Sequence, residues 1–138
     1  MGLQVGHWQS EKLPDELARL RGQNGGYFEN FHELPVNLDV TKRTAKLLGD
    51  AGVTVDILPA TIPLHYRADA FLAVHADTDL EQRWRGYKIA ASSFSQAPEM
   101  SQTLVEVVST EYAKATNLPV DKHCLLYTSP SPRDRQKS

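Results

Sequence analysis

His7 and His75 are the residues of this 138-residue chain whose type and placement best suit chemistry. His7 follows Leu3-Gln4-Val5-Gly6, and His75 follows Ala70-Phe71-Leu72-Ala73-Val74. Both short apolar runs read as strands, so each imidazole stands where a strand runs out. In open parallel α/β sheets, ligands sit beyond the carboxyl ends of the strands. Two imidazoles delivered to that edge can meet although they are far apart in sequence. A catalytic zinc needs three protein ligands and one open position. Glu33, placed just ahead of a helix, is the candidate for the third. The single cysteine, Cys124, excludes a cysteine-rich structural site, so a metal must use histidine and carboxylate ligands.

Each of these residues also has a plainer reading. A histidine after a strand is commonly a surface or hydrogen-bonded residue. Glu33 also suits a helix start, where the helix dipole favours an acid. His32, His65 and His123 lack the strand-end setting and read as solvated or structural. Asp77 and Asp79 read as a solvated turn; fixing the tautomer of a nearby histidine is the alternative. Trp8 either lines a cleft or caps the core.

The elements that must position these groups are legible in outline. Leu3 to Val5 reads as a short buried strand. Pro14 to Arg21 has helical spacing, with Leu13, Leu17 and Leu20 on one face and Pro14 suited to a first turn. Gly22-Gln23-Asn24-Gly25-Gly26 is a loop by composition, and 27–35 reads as irregular. Asn37 to Asp50 reads as a helix that buries Val36, Val40, Thr44, Leu47 and Leu48, with Gly52 just past its end. Val53 to Leu58 is rich in β-branched residues, as a strand would be. Ala70 to Val74 is continuously apolar, as expected of a strand covered on both faces. Tyr87 to Ala91 reads as a weaker strand. Met100 to Ala113 reads as a helix with Leu104, Val107, Val108 and Tyr112 on one face. Strands separated by helices predict an α/β fold with a mostly parallel sheet and helices on both faces.

Composition narrows the function classes. Hydrophobic content of 41% and charge content of 23% are ordinary for a globular chain, which at this length is one domain able to bury a core without disulfides. A net charge of −2 with no basic stripe gives no reason to expect nucleic acid. No apolar run approaches the ~18 residues that span a bilayer, and no signal peptide is visible.

The end of the chain reads differently. Cys124-Leu125-Leu126-Tyr127-Thr128-Ser129-Pro130-Ser131-Pro132-Arg133-Asp134 resembles a translated transposon-type sequencing adapter. A disordered tail is the alternative, given its Ser, Pro and charge. The expectation is therefore a globular part over 1–123, incomplete at its C-terminus, and an artefactual or disordered tail over 124–138. The start near Met1 is also expected to be incomplete.

A resemblance adds to this reading. Gly6-His7, then Glu33 with Val36-Asn37-Leu38, then Ala68-Asp69-Ala70-Phe71-Leu72-Ala73-Val74-His75-Ala76-Asp77, is similar to the zinc-dependent N-acetylmuramoyl-L-alanine amidases of bacterial cell-wall turnover. The similarity runs from about residue 3 to 122. It implies zinc ligated by His7, Glu33 and His75, a peptidoglycan or muropeptide substrate, and a place in the cell envelope or outside the cell. Trp8 departs from the glycine that many members carry. The family's catalytic glutamate lies in a later strand, which this chain is expected to lack. Glu99, Glu106 and Glu111 read as the solvated face of a helix and are not substitutes. Two alternatives stay open: another zinc hydrolase of carboxypeptidase type, and a non-catalytic peptidoglycan-binding protein. Oligomeric state is open as well.

Overall fold

A computed structural model of the chain describes residues 1–77, 85–92 and 95–121. The chain divides into two compact units, Met1–Leu80 and Glu81–Ser138.

In the first unit the strand β1 (Gly2–Val5) is buried at every position. Leu3 and Val5 point to one face and Gln4 to the other, by the two-residue period of a strand. With Leu13, Leu58 and Ile62 they form the apolar core. Fully burying a side chain such as Leu3 or Val5 contributes ~1.5–3 kcal/mol. Gln4 is nearly as buried, and its amide is satisfied by donating to the Ala60 carbonyl at 3.0 Å.

Leu13 precedes a 3-10 stretch, Asp15–Leu20, with non-helical geometry at Leu17. The helical spacing expected over 14–21 thus takes the tighter form. Next comes a two-stranded hairpin, β2 (Tyr27–Phe28) and β3 (Phe31–His32), in a segment expected to be irregular. Glu29 takes a left-handed φ of 50° at its turn.

The helix α1 (Glu33–Asp50) begins four residues earlier than the sequence suggests, so Glu33 lies in its first turn. Its buried positions are Glu33, Asn37 and Thr41, a polar line one turn apart, not the expected stripe. Val40 is 44% and Leu47 is 70% exposed. The earlier start sets the phase: with Glu33 turned to the strand ends, residues at i+4 and i+8 follow it inward. Past its end the Val53 N–H reaches back to the Leu48 carbonyl at 2.9 Å, with Gly52 at φ 87°, the left-handed stop that was expected.

Two further strands, β4 (Asp56–Leu58) and β5 (Phe71–Val74), complete a parallel sheet in the order β4-β1-β5. In register, Leu3 pairs with Ile57 and Leu72, and Val5 pairs with Val74. The fold class is therefore α/β with a parallel sheet. Among the described residues β5 is an edge strand, with Phe71 38% exposed and its other residues half-buried, so the run 70–74 is not covered there on both faces as expected.

In the second unit, α2 (Pro98–Thr116) starts with Pro98 in its first turn and stops at Asn117 in the left-handed region. None of its residues is buried, and Val107 and Tyr112 of the expected apolar face are 55% and 44% exposed. Tyr87 to Ala91 forms no strand; Tyr87 makes only an isolated parallel bridge to Val120. The Tyr87 hydroxyl donates to the Ser109 carbonyl at 2.9 Å, anchoring that segment to α2.

Candidate metal centre

The register of the sheet decides where the histidines go. Because Val5 and Val74 are paired, the residues that follow them leave the sheet side by side. The Gly6 N–H donates to the Val74 carbonyl at 2.9 Å and carries the pairing one step further. Gly6 must be small: a Cβ there would lie 2.5 Å from the His75 ring. His7 then turns off with a left-handed φ of 64°. The two rings meet edge to face, centroids 5.1 Å apart and planes at 88°. The first turn of α1 brings Glu33 to the same place. Its Oε1 lies 3.4 Å from His7 Nε2 and 3.1 Å from His75 Nδ1. One ligand atom from each of the three residues falls within 4.8 Å of the others. The structure therefore brings together all three residues singled out from the sequence.

Hydrogen bonds orient each group. His7 Nδ1 lies 2.8 Å from the Gln23 carbonyl, which can only accept, so Nδ1 carries a proton and Nε2 is the atom offered inward. Glu33 is 3% exposed. Its Oε2 accepts from the Gly26 N–H at 2.8 Å, and its Oε1 accepts from the Asn37 amide at 3.2 Å. The same Asn37 amide donates to the Gly6 carbonyl at 3.2 Å. Since both partners are acceptors, the orientation of the amide is fixed.

The electrostatics follow from this packing. Burial pushes the Glu33 carboxyl up, yet donors at His7, His75, Gly26 and Asn37 outweigh it and hold it well below the usual carboxylate range. The bond to Glu33 raises the His7 imidazole above 6.5; burial opposes this, and the Glu33 charge, the Gln23 carbonyl and the Asp77 charge add to it. The metal-free centre is thus a buried carboxylate held by donors from imidazole, backbone and amide. A divalent cation can take the place of the imidazole donors. Two imidazole nitrogens and one carboxylate oxygen form a set that could hold a metal ion, and an open side remains beside them.

That open side is a cleft of about 550 Å³ lined by His7, Glu33 and the segment 22–27. Gly25, at φ 83°, passes so close that a Cβ would lie 2.5 Å from Glu33 Oε2. Tyr27 stands on the cleft wall and is 69% exposed. Trp8 is half-buried and is not among the lining residues.

The remaining sequence candidates lie elsewhere. His32 and His65 are exposed, as expected of solvated residues. Asp77 acts on His7 through its charge. Glu99, Glu106 and Glu111 are exposed on α2. Asp79, His123 and Cys124 lie outside the described residues. Sequence reasoning missed Gln23, Gly25, Gly26 and Asn37. Only Asn37 carried a signal, its spacing of four from Glu33, which puts both on one helix face.

No protein-family model, curated protein or solved structure matches this chain.

Proposed function

We propose that the chain carries the metal-holding part of a zinc-dependent hydrolase acting on the amide between N-acetylmuramic acid and L-alanine in peptidoglycan. One observation carries the metal half: β1, α1 and β5 deliver two imidazole nitrogens and a carboxylate oxygen within 4.8 Å of one another. The substrate half, and with it a place at the cell envelope or outside the cell, rests on the resemblance of Gly6-His7, Glu33 with Val36-Asn37-Leu38, and 68–77 to the amidases. Among the described residues no helix is long and apolar enough to cross a membrane.

Zinc held there would polarise a carbonyl and lower the pKa of water toward ~7. The residues of the chain prepare its place. His7 keeps its Nδ1 proton on Gln23 and leaves Nε2 for the ion. Glu33 brings a negative charge that carries no proton at neutral pH. The wall from Gly22 to Tyr27 offers backbone and neutral polar groups to an extended amide substrate. The general base is assigned to none of the described residues. In the amidases that role falls to a glutamate in a later strand.

Calorimetry with zinc tests the metal half. The unaltered chain should bind, and His7→Ala and His75→Ala should each weaken binding at least ~100-fold, since two ligands cannot make a stable three-ligand site. Equal affinity in all three removes the site. Zinc-dependent release of L-alanyl peptide from a muramoyl-peptide, lost in Glu33→Gln, tests the substrate half. Zinc binding without cleavage points to a peptidoglycan-binding role, and cleavage of other peptide bonds to a carboxypeptidase-type hydrolase.

A further inference from the structure

Two of the three metal-facing side chains, His7 and Glu33, are held from behind by groups that no zinc-ligand pattern requires. Glu33 shows the arrangement best. Its two oxygens have different partners: Oε1 faces both imidazoles, while Oε2 is engaged by the Gly26 N–H at 2.8 Å and hemmed in by Gly25. A carboxylate held in this way can offer an ion one oxygen and not two. Asn37 braces the other side, with its amide on Glu33 Oε1 and on the carbonyl of Gly6, the residue just before His7. Asn37 is fully buried, and its Oδ1 has no protein partner among the described residues. A buried amide left half-satisfied is unfavourable relative to a paired one, so packing alone does not explain an asparagine there.

The segment 23–26 is tied to the same two ligands. The His7 Nδ1–H donates to the Gln23 carbonyl, the Gly26 N–H to Glu33 Oε2, and the Glu33 N–H to the Gly26 carbonyl at 3.0 Å. These residues also form the wall of the cleft. What fixes the ligands therefore fixes the wall.

Resting on the metal centre proposed above, we propose that Asn37 and the Gln23–Gly26 strap are its positioning residues. They restrict Glu33 to one-oxygen ligation and couple occupancy of the site to ordering of the cleft wall. Partners behind a metal ligand typically govern affinity 10–100-fold. A single carboxylate oxygen with two imidazoles favours four-coordinate zinc or cobalt over the larger oxygen-rich shells of calcium.

Cobalt(II) is the probe, added to the full 138-residue chain. The unaltered protein should show the strong visible absorption of a four-coordinate centre. Asn37→Leu, close in volume, should bind cobalt about tenfold or more weakly, and the absorption per bound ion should fall as Glu33 Oε1, no longer braced by the amide, turns out of line with the imidazoles. An Asn37→Leu protein with native circular dichroism, unchanged affinity and an unchanged spectrum overturns the proposal. Should that variant fail to fold, hydrogen exchange on the unaltered chain decides. Saturating zinc should slow exchange at the Gly25 and Gly26 amides more than in the middle of α1, and equal exchange there with and without zinc overturns the coupling. His7→Ala separates the two readings. If it leaves cobalt binding intact, the metal centre itself fails; if it abolishes binding while Asn37→Leu changes nothing, only the positioning role fails.

Discussion

At the carboxyl end of the sheet, Glu33 is 3% exposed and surrounded by four donors from different elements. At the amino end, Asp56, the first residue of β4, is exposed and accepts one hydrogen bond, from the Tyr66 hydroxyl at 2.7 Å. Both carboxylates sit at strand ends of the same sheet. The first has lost its water and depends on protein partners; the second keeps its water and gains one more contact. A buried charge is tolerated only when it is paired and fully hydrogen-bonded. The chain meets that condition at one end only, with residues drawn from β1, α1, β5 and the segment 23–26. Such an arrangement is expensive to build and points to chemistry. The Tyr66–Asp56 pair needs no explanation beyond surface packing.

The largest predicted difference comes from deleting the two carboxylates or their partners in turn. Glu33→Ala should remove high-affinity zinc binding and destabilise the metal-free chain by about 3 kcal/mol, since His7, His75, Gly26 and Asn37 each lose the bond to Glu33. Calorimetry and denaturant unfolding measure both effects. A Glu33→Ala chain as stable as the parent would break the comparison.

A smaller difference is expected between two glycines of the cleft wall. Gly25 and Gly22 both have positive φ, but only Gly25 faces Glu33; a Cβ at Gly22 meets nothing within 4 Å. Gly22→Ala should cost only the backbone penalty of ~1–2 kcal/mol and leave zinc affinity alone. Gly25→Ala should cost more and weaken zinc binding as well. Equal zinc affinity in the two variants would mean that the wall does not press on the ligand.

The pH dependence sharpens the contrast further. Without metal, the raised His7 value stabilises the fold below its ordinary 6.5, and that contribution is lost as pH rises through the folded value. The lowered Glu33 value stabilises the fold above its ordinary 4.5, and that contribution is lost as pH falls toward the folded value. Zinc needs neutral imidazoles, so its contribution grows as pH rises. Melting curves across roughly pH 5 to 8 should therefore slope downward on the alkaline side without zinc and upward with it. Parallel slopes would contradict the pairing of His7 with Glu33 in the metal-free centre.

The smallest effect belongs to the amino end. Partial burial and then the Asp56 carboxylate push the Tyr66 hydroxyl up to about 12. Tyr66→Phe should cost about 1 kcal/mol or less and leave zinc affinity unchanged. A large loss of metal binding in that variant would show that the two ends are coupled.

The sequence made the metal-facing atoms legible because strand ends and histidines are local signals. The parallel α/β class followed from alternating apolar runs for the same reason. What holds those atoms was not legible. Gln23 and Gly26 act through a backbone carbonyl and a backbone N–H, which every non-proline residue has and which leave no mark in a sequence. The early start of α1 was hidden because 27–35 reads as irregular, although Pro35 is tolerated in a first turn. Once the helix begins at Glu33, its buried face becomes Glu33, Asn37 and Thr41, and a search for apolar stripes passes over such a face. The run 70–74 looked doubly covered because apolar content reports hydrophobicity and not a strand's place in the sheet; β5 lies at the edge.

The pairing of Val5 with Val74 has one more consequence. A strand that slips by one residue moves ~3.3 Å along its neighbour and turns every side chain to the opposite face. His75 would then point away from His7, and no ion could join them. Metal uptake would thus act as a proofreader of strand alignment, rewarding only the chain whose β1 and β5 have zipped together in step.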